Sequence, residues 1–110
     1  MLPRWERLWS LIRIIAVSTL KAFWEQPAHR DAEQPLRAWV SVVKAARWPD
    51  PPAIRQVFGS ADILRDGRVV FDIGGNTYRL VAWVNYQYGV VYVRVIGTHR
   101  DYDGIDARSV

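Results

Sequence analysis

The residues best suited to proton transfer lie in the stretch GTHRDYDGID, from Gly97 to Asp106. Histidine has an ordinary pKa that suits proton transfer near neutral pH, and tyrosine donates a proton or a hydrogen bond to a phosphate oxygen. His99 and Tyr102, with an arginine, would suffice for metal-free RNA cleavage, in which the ribose 2′-OH attacks the adjacent phosphorus. The alternative is that His99 caps a turn and that Tyr102 covers a sheet edge.

Two arginines occur within alternating apolar runs that are typical of β-strands. The alternation predicts that Arg79 shares a face of the sheet with Val81 and Trp83. It also predicts that Arg94 shares a face with Tyr92 and Ile96. The opposite face of the last strand would then face the core with Val91, Val93 and Val95. A face with arginines and aromatic rings suits phosphates and bases. The alternative is that the arginines only cover the solvent side of a sheet.

The acidic residues of the same stretch do not indicate a metal site. Asp101, Asp103 and Asp106 lack the spacing of a calcium loop, and the chain has no cysteine and only two histidines. We therefore expect a mechanism without a metal or other cofactor, in which the aspartates cap a terminal turn and orient His99 or an arginine. The other histidine, His29, is interpreted as a solvated loop residue.

Length and composition indicate one globular domain. The chain has 110 residues, half of them apolar, and a net charge of +4, which favours a polyanionic partner. Its longest apolar N-terminal stretch, LWSLIRIIAV, is interrupted by Arg13 and is too short to span a bilayer. No signal-peptide cleavage site closes it, so we expect a cytoplasmic protein without a membrane segment.

The elements that must position these residues follow from hydrophobic periodicity. A strand is predicted over 12–17, followed by a helix over 19–26 with Ser18 as its N-cap, a helix from Gln34, and a short helix capped by Asp50. From Ile63 the period changes to two, with turns at Asp66-Gly67, at 74–76 and at 86–89. The sequence predicts an α+β fold with two to three helices on one face of a mainly antiparallel sheet of four to five strands.

The chain from about Ile12 to Ala107 resembles the HigB family of toxins from bacterial type II toxin-antitoxin systems, within the RelE-like ribosome-dependent mRNA endonucleases. The resemblance rests on the order and spacing of four stretches: RIIAVSTLKAFWE, ARWPDPPAIRQVFGSADIL, VVFDIGGNTYRLV and VRVIGTHRDYDGID. It implies a RelE-like fold, cleavage of mRNA on the ribosome with inhibition of translation, and a cognate helix-turn-helix antitoxin of the HigA kind. No small-molecule cofactor is implied.

The resemblance also implies roles for individual residues. The arginine of the NTYRL motif is Arg79, and the histidine and tyrosine of the THxxYD motif are His99 and Tyr102, which would be catalytic. RNA-binding roles are expected for Asn76, Arg94, Arg100 and Asp103. Related toxins often carry a lysine where this chain has Gly104, so the arginines would take over its contact with phosphate.

Two expectations concern the limits of the resemblance. Residues 1–11 have no counterpart in it and are interpreted as an extension, most simply a start codon placed too far upstream, before a single domain over 12–110. RelE-like folds also include inhibitors of DNA gyrase, the ParE type. The alternative function is therefore a non-catalytic module that blocks the ribosome or gyrase, or that only binds its antitoxin.

Overall fold

The computed structural model describes residues 12–75, 77–107 and 110. Five strands form one sheet in the order β1-β5-β4-β3-β2. They are β1 (Arg13–Ile15), β2 (Asp62–Ile63), β3 (Arg68–Ile73), β4 (Tyr78–Asn85) and β5 (Val90–Thr98). β1 pairs with β5 in parallel and the other pairs are antiparallel, which confirms the predicted α+β class. The predicted extension 1–11 and Asn76 lie outside the described residues.

In the described part of the chain, four α-helices and a 3-10 helix connect and flank the strands. They are α1 (Val17–Trp24), the 3-10 helix (Pro27–Ala32), α2 (Glu33–Ala45), α3 (Pro51–Val57) and α4 (His99–Asp103). Asp50 caps α3 as predicted, since its Oδ1 accepts a hydrogen bond from the Ala53 amide. Ser18 is not the cap of α1: Ala16 holds that position, and no side chain caps it. Within the described ranges, no helix is long and apolar enough to cross a membrane.

The predicted Asp66-Gly67 turn joins β3 to the preceding strand. Both residues have positive φ, 60° and 76°, as the favoured two-residue hairpin turn requires. Gly67 has a second reason to be glycine, because a Cβ there would lie 2.9 Å from Nε1 of Trp83. The turn therefore packs directly against an aromatic side chain of β4.

The main core lies between the helices and one side of the sheet, here called the inner face. Phe71 is at its centre, with ring centroids 5.4 Å from Trp39, 6.2 Å from Trp48 and 5.1 Å from Phe58. Leu36, Trp39 and Val43 of α2 are buried in this core, and so is Trp48, which lies beyond the end of that helix. This core fixes the orientation of β3, and through it the residues on the other side of the sheet.

A β-bulge in β5 overturns the predicted faces of the last strand. The register pairs Val93 with Ala82 and Val95 with Val81, so Arg94 is the extra residue. Alternation is therefore lost at Arg94: Ile96 packs on the main core, whereas Val95 turns to the opposite side, here called the outer face. The prediction of an all-valine inner face was wrong because strict alternation leaves no place for a bulge.

The C-terminal segment crosses the middle of the outer face. Val70 and Val81 form a second small core there, in contact with Val95 and with side chains that follow the last strand: Tyr102, Ile105, Ala107 and Val110. The outer face is thus divided. Arg79 lies at one end of the covered region, and Trp83 lies at the other.

Candidate active site at the end of the last strand

The stretch around His99 forms a capped helix directly after β5. The Thr98 hydroxyl accepts a hydrogen bond from the Asp101 amide at 3.2 Å, and the Asp101 carboxylate accepts one from the Thr98 amide at 3.0 Å. This reciprocal pair is a capping box. The hydrogen bonds from the backbone and the hydroxyl of Thr98 lower the pKa of Asp101. The prediction that an aspartate caps a terminal turn is confirmed for Asp101.

Gly97 brings α4 close to the sheet. A Cβ at this position would lie 2.9 Å from the Asp101 side chain, so only glycine leaves room for that carboxylate. The register places Gly97 beside Arg79 on β4. His99, the first residue of α4, therefore comes two residues after Gly97, the residue that pairs with Arg79. Its half-buried side chain already has an interaction within the chain.

Arg79 is paired with an acid from the neighbouring strand. Its NH1 atom lies 2.5 Å from Oδ1 of Asp72, and the two side chains are 16% and 25% exposed. The contact is an ion pair by distance, but its angles do not make a hydrogen bond, so NH1 is buried without one. A phosphate at Arg79 would have to compete with Asp72 for the guanidinium.

The other predicted residues divide into two groups. Tyr102 is half-buried against the second core, and Arg100 and Asp103 are exposed on the same helix. The fold thus brings Arg79, His99, Tyr102, Arg100 and Asp103 to one end of the outer face. Arg94 is exposed at the bulge on the other side of Val95, and the fold does not bring it to this group.

His29 belongs to the surroundings of this site, and its interpretation as a solvated loop residue was wrong. It lies in the 3-10 helix, is half-buried and stacks on Phe23 with ring centroids 4.1 Å apart. Its charge also contributes, as a smaller cause, to the lowered pKa of Asp101. No spacing in the sequence relates residue 29 to residue 101. The only available signal was the aromatic Phe23 six residues earlier.

Tyr78 and Asp31 tie the 3-10 helix to the start of β4. The Tyr78 hydroxyl donates a hydrogen bond to Oδ1 of Asp31. Burial, the hydrogen bond and the negative charge of Asp31 raise the pKa of Tyr78 to about 12. Because Tyr78 pairs with Thr98, this tie also supports the strand end that carries the capping box.

Replacing Tyr78 with phenylalanine should change how stability depends on alkaline pH. The pKa of Tyr78 is about 12 in the folded chain against an ordinary 10.0. The protonated hydroxyl therefore makes its full contribution to the free energy of unfolding below pH 10, and that contribution is lost as pH rises through 12. We expect the free energy of unfolding of wild type to fall more steeply over this interval than that of Tyr78→Phe. At neutral pH the variant should lose about 1 kcal/mol, for the missing hydrogen bond. Urea unfolding at several pH values measures both effects, and parallel pH profiles would contradict the assignment.

Within the described part of the chain, no three histidine or acidic side chains are grouped so that they could hold a metal ion. The chemistry available at this end of the sheet is that of an imidazole, a phenol and guanidinium groups. Such groups can transfer protons and stabilise a phosphate that gains negative charge.

Comparisons with known proteins point to one kind of protein. The family model described as "HigB_toxin, RelE-like toxic component of a toxin-antitoxin system" matches residues 32–105. The chain is 38% identical over 55 residues to the "mRNA interferase toxin HigB" of Escherichia coli (strain K12) and to the "mRNA interferase HigB" of Shigella flexneri, covering 48% of this chain and 53% of each relative. It is 30% identical over 70 residues to the "mRNA interferase HigB" of Escherichia coli O6:H1, covering 62% of this chain and 68% of the relative. The chain thus spans about half the length of the first two relatives.

Proposed function

Because this chain belongs to the HigB family of RelE-like toxic components of toxin-antitoxin systems, we propose that it is a ribosome-dependent mRNA endonuclease. The names of its relatives, mRNA interferases, support this activity. The observation that carries it is the placement of His99, at the start of a capped helix and two residues after the partner of Arg79 on β5. The groups that we propose for proton transfer and phosphate binding thus lie on adjoining elements, α4 and β4.

The proposed reaction uses these side chains and the 2′-OH of the RNA. Arg79 binds the scissile phosphate. Of His99 and Tyr102, one accepts the proton of the ribose 2′-OH and the other protonates the leaving oxygen, with Tyr102 alternatively stacking on a base. A bond forms between the 2′-oxygen and phosphorus, the bond to the 5′-oxygen breaks, and a cyclic phosphate remains. The 2′-OH is both nucleophile and selectivity element, because DNA lacks it.

The remaining predicted residues would extend the RNA contact. Arg100 and Asp103 are exposed on α4 beside the site, and Arg94 is exposed farther along β5. Arginine binds phosphate through a planar fork of donors, which suits a backbone contact without base specificity. We assign these three residues and Asn76, which lies outside the described residues, to RNA binding.

The proposal includes partners and a place in the cell. A toxin of this family implies a cognate antitoxin, and we assign it a helix-turn-helix antitoxin of the HigA kind. The net charge of +4 favours an acidic partner by electrostatic complementarity. The ribosome with its mRNA is the proposed target, which places the protein in the cytoplasm.

A non-catalytic toxin is the second candidate. The ion pair between Arg79 and Asp72 and the apolar packing of Tyr102 are contacts that purely structural residues also make. A protein of this kind would arrest growth by blocking the ribosome or gyrase, or would only bind its antitoxin, and it would produce no new RNA ends.

Induction in a bacterial host distinguishes the two candidates. We expect wild type to arrest growth and to create new mRNA 5′ ends within translated regions. Arg79→Ala should lower the cleavage rate by about 10- to 100-fold, which is the loss expected when one or two charged hydrogen bonds to the phosphate are removed. Arrest without new 5′ ends would contradict the endonuclease proposal.

The double variant Asp72→Asn with Arg79→Ala is the matched control. It removes the unpaired carboxylate that Arg79→Ala alone leaves behind. If the loss reflects phosphate binding, the double variant stays as inactive as the single one. Recovery of cleavage in the double variant would show that Arg79 serves only to neutralise Asp72.

A further inference from the structure

A row of four side chains crosses the outer face at the end away from His99. The register pairs Arg68 with Trp83, Trp83 with Tyr92, and Tyr92 with Ile15, so the four lie side by side on β3, β4, β5 and β1. We call this row the outer strip. Together it presents a guanidinium, an indole, a phenol and an aliphatic side chain. The second core lies next to it and does not include these four residues.

The outer strip is ordered by its own contacts. The rings of Trp83 and Tyr92 stack with centroids 5.0 Å apart and planes 26° from parallel. The guanidinium of Arg68 lies over the Trp83 ring, 5.9 Å from its centroid, and donates to the carbonyl oxygen of Val110 at 2.8 Å. Ile15 is 42% exposed at the far end. The side chains of the strip are already ordered, so binding a partner would cost little of their conformational entropy.

These contacts decide which kind of partner the strip fits. Bases of single-stranded RNA bind aromatic residues by stacking on a free ring face. Here Tyr92 covers one face of Trp83 and Arg68 lies over the ring, while Tyr92 has Trp83 on one side and Ile15 as its neighbour on the other. What remains for a partner is ring edges and aliphatic surface. Tryptophan, tyrosine and arginine in such packed settings are the residues that dominate protein interfaces.

The charge around the strip indicates the chemistry of that protein. Arg13, two residues before Ile15, and Arg94, two residues after Tyr92, are both exposed. The whole chain carries a net charge of +4. Asp66, on the adjoining turn, is exposed at the Arg68 end of the strip, so the cationic border is at the β1 and β5 end, where Arg13 and Arg94 lie. An apolar centre with a cationic border is complementary to an acidic segment that carries apolar side chains.

We infer that the outer strip is the docking surface for the antitoxin, which binds it through an acidic segment with apolar side chains. The inference rests on the proposed function, since it takes the antitoxin as the partner. It places the two activities at opposite ends of the outer face: RNA is cleaved at the α4 end, and the antitoxin binds at the other end, centred on Trp83 and Tyr92. Arg94, assigned above to RNA binding, lies between the two and would contact both partners.

Site-specific photo-cross-linking tests the inference. The photoreactive residue p-benzoylphenylalanine replaces Ile15, and in the control it replaces Val42, which is 40% exposed on α2. Each full chain is expressed with the protein encoded by the gene adjacent to its own and is irradiated as the complex. We expect cross-links to that protein from position 15 and none from position 42. Cross-links from position 15 to RNA, to a second copy, or to residues 1–11 of the same chain would each overturn the assignment.

Affinity measurements on charge variants supply a second test. Ile15→Asp places a carboxylate opposite the proposed acidic segment and should weaken binding at least tenfold, whereas Val42→Asp should leave it unchanged. Thermal unfolding of both variants controls for folding. Equal affinity of Ile15→Asp and wild type would overturn the docking surface alone. A wild type that does not bind the neighbour-encoded protein at all would overturn the antitoxin pairing, and this surface with it.

Discussion

Replacing His99 with alanine should abolish most of the mRNA cleavage while leaving the fold intact. A positioned acid or base contributes about 10²- to 10⁴-fold to a rate, and we expect a loss in that range. Folding should be spared because Thr98 and Asp101, not His99, form the capping box of α4. The measurement is single-turnover cleavage of a defined mRNA on purified ribosomes, accompanied by thermal unfolding of each variant.

The controls separate proton transfer from a polar contact. His99→Gln keeps a hydrogen-bonding side chain but cannot carry a proton between substrate atoms, so it should be as slow as His99→Ala. Arg100→Gln changes the next residue of α4, which is exposed, and should cause a smaller loss that shrinks at higher salt. Cleavage by His99→Ala at the wild-type rate would show that His99 takes no part in the mechanism. Its role would then be only structural, as the first residue of α4.

Replacing Phe71 with alanine should have the largest effect on stability. Phe71 is about 1% exposed and is surrounded by the rings of Trp39, Trp48 and Phe58. Removing so large a buried side chain costs about 3–5 kcal/mol, because transfer energy is lost and a cavity remains. Since small domains are stable by only about 5–15 kcal/mol, the variant should be partly unfolded at 37 °C.

Urea unfolding followed by circular dichroism measures this loss. Tyr88→Ala is the control: Tyr88 is 67% exposed on the turn between β4 and β5, and its removal should change the free energy of unfolding by about 0.5 kcal/mol or less. Phe71→Leu should lie between the two because it keeps most of the buried volume. A loss of under about 1 kcal/mol for Phe71→Ala would mean that the aromatic cluster is not the centre of the core.

Local patterns sufficed to predict most of the fold. The period-two alternation of β3 and β4, the Asp66-Gly67 turn and the Asp50 cap each depend on residues close in sequence, and each is present as predicted. The helix α4 was predicted only as a terminal turn, although its capping box can be found in the spacing of Thr98 and Asp101. The bulge at Arg94 was missed because it arises from pairing with β4, which a single strand does not encode.

The candidate site shows the same division between local and tertiary information. The residue types of His99 and Tyr102 pointed to this end of the chain, and strand alternation singled out Arg79. The family motifs then gave all three their expected roles. The ion pair of Arg79 with Asp72 and the stacking of His29 on Phe23 form only when separate elements meet. A sequence pattern can propose the groups that act, but which charged and aromatic side chains lie beside them depends on the fold.

The parallel pairing of β1 with β5 has a consequence for synthesis. Arg13 pairs with Val90, so β1 finds its partner strand only after the elements between them and β5 itself have been made. Such distant contacts form late, because the loop between them must close first. While β5 and α4 are still inside the ribosome, the sheet is incomplete and His99 has no fixed place beside Arg79. The arrangement that we propose for catalysis can therefore form only once β5 and α4 have left the ribosome.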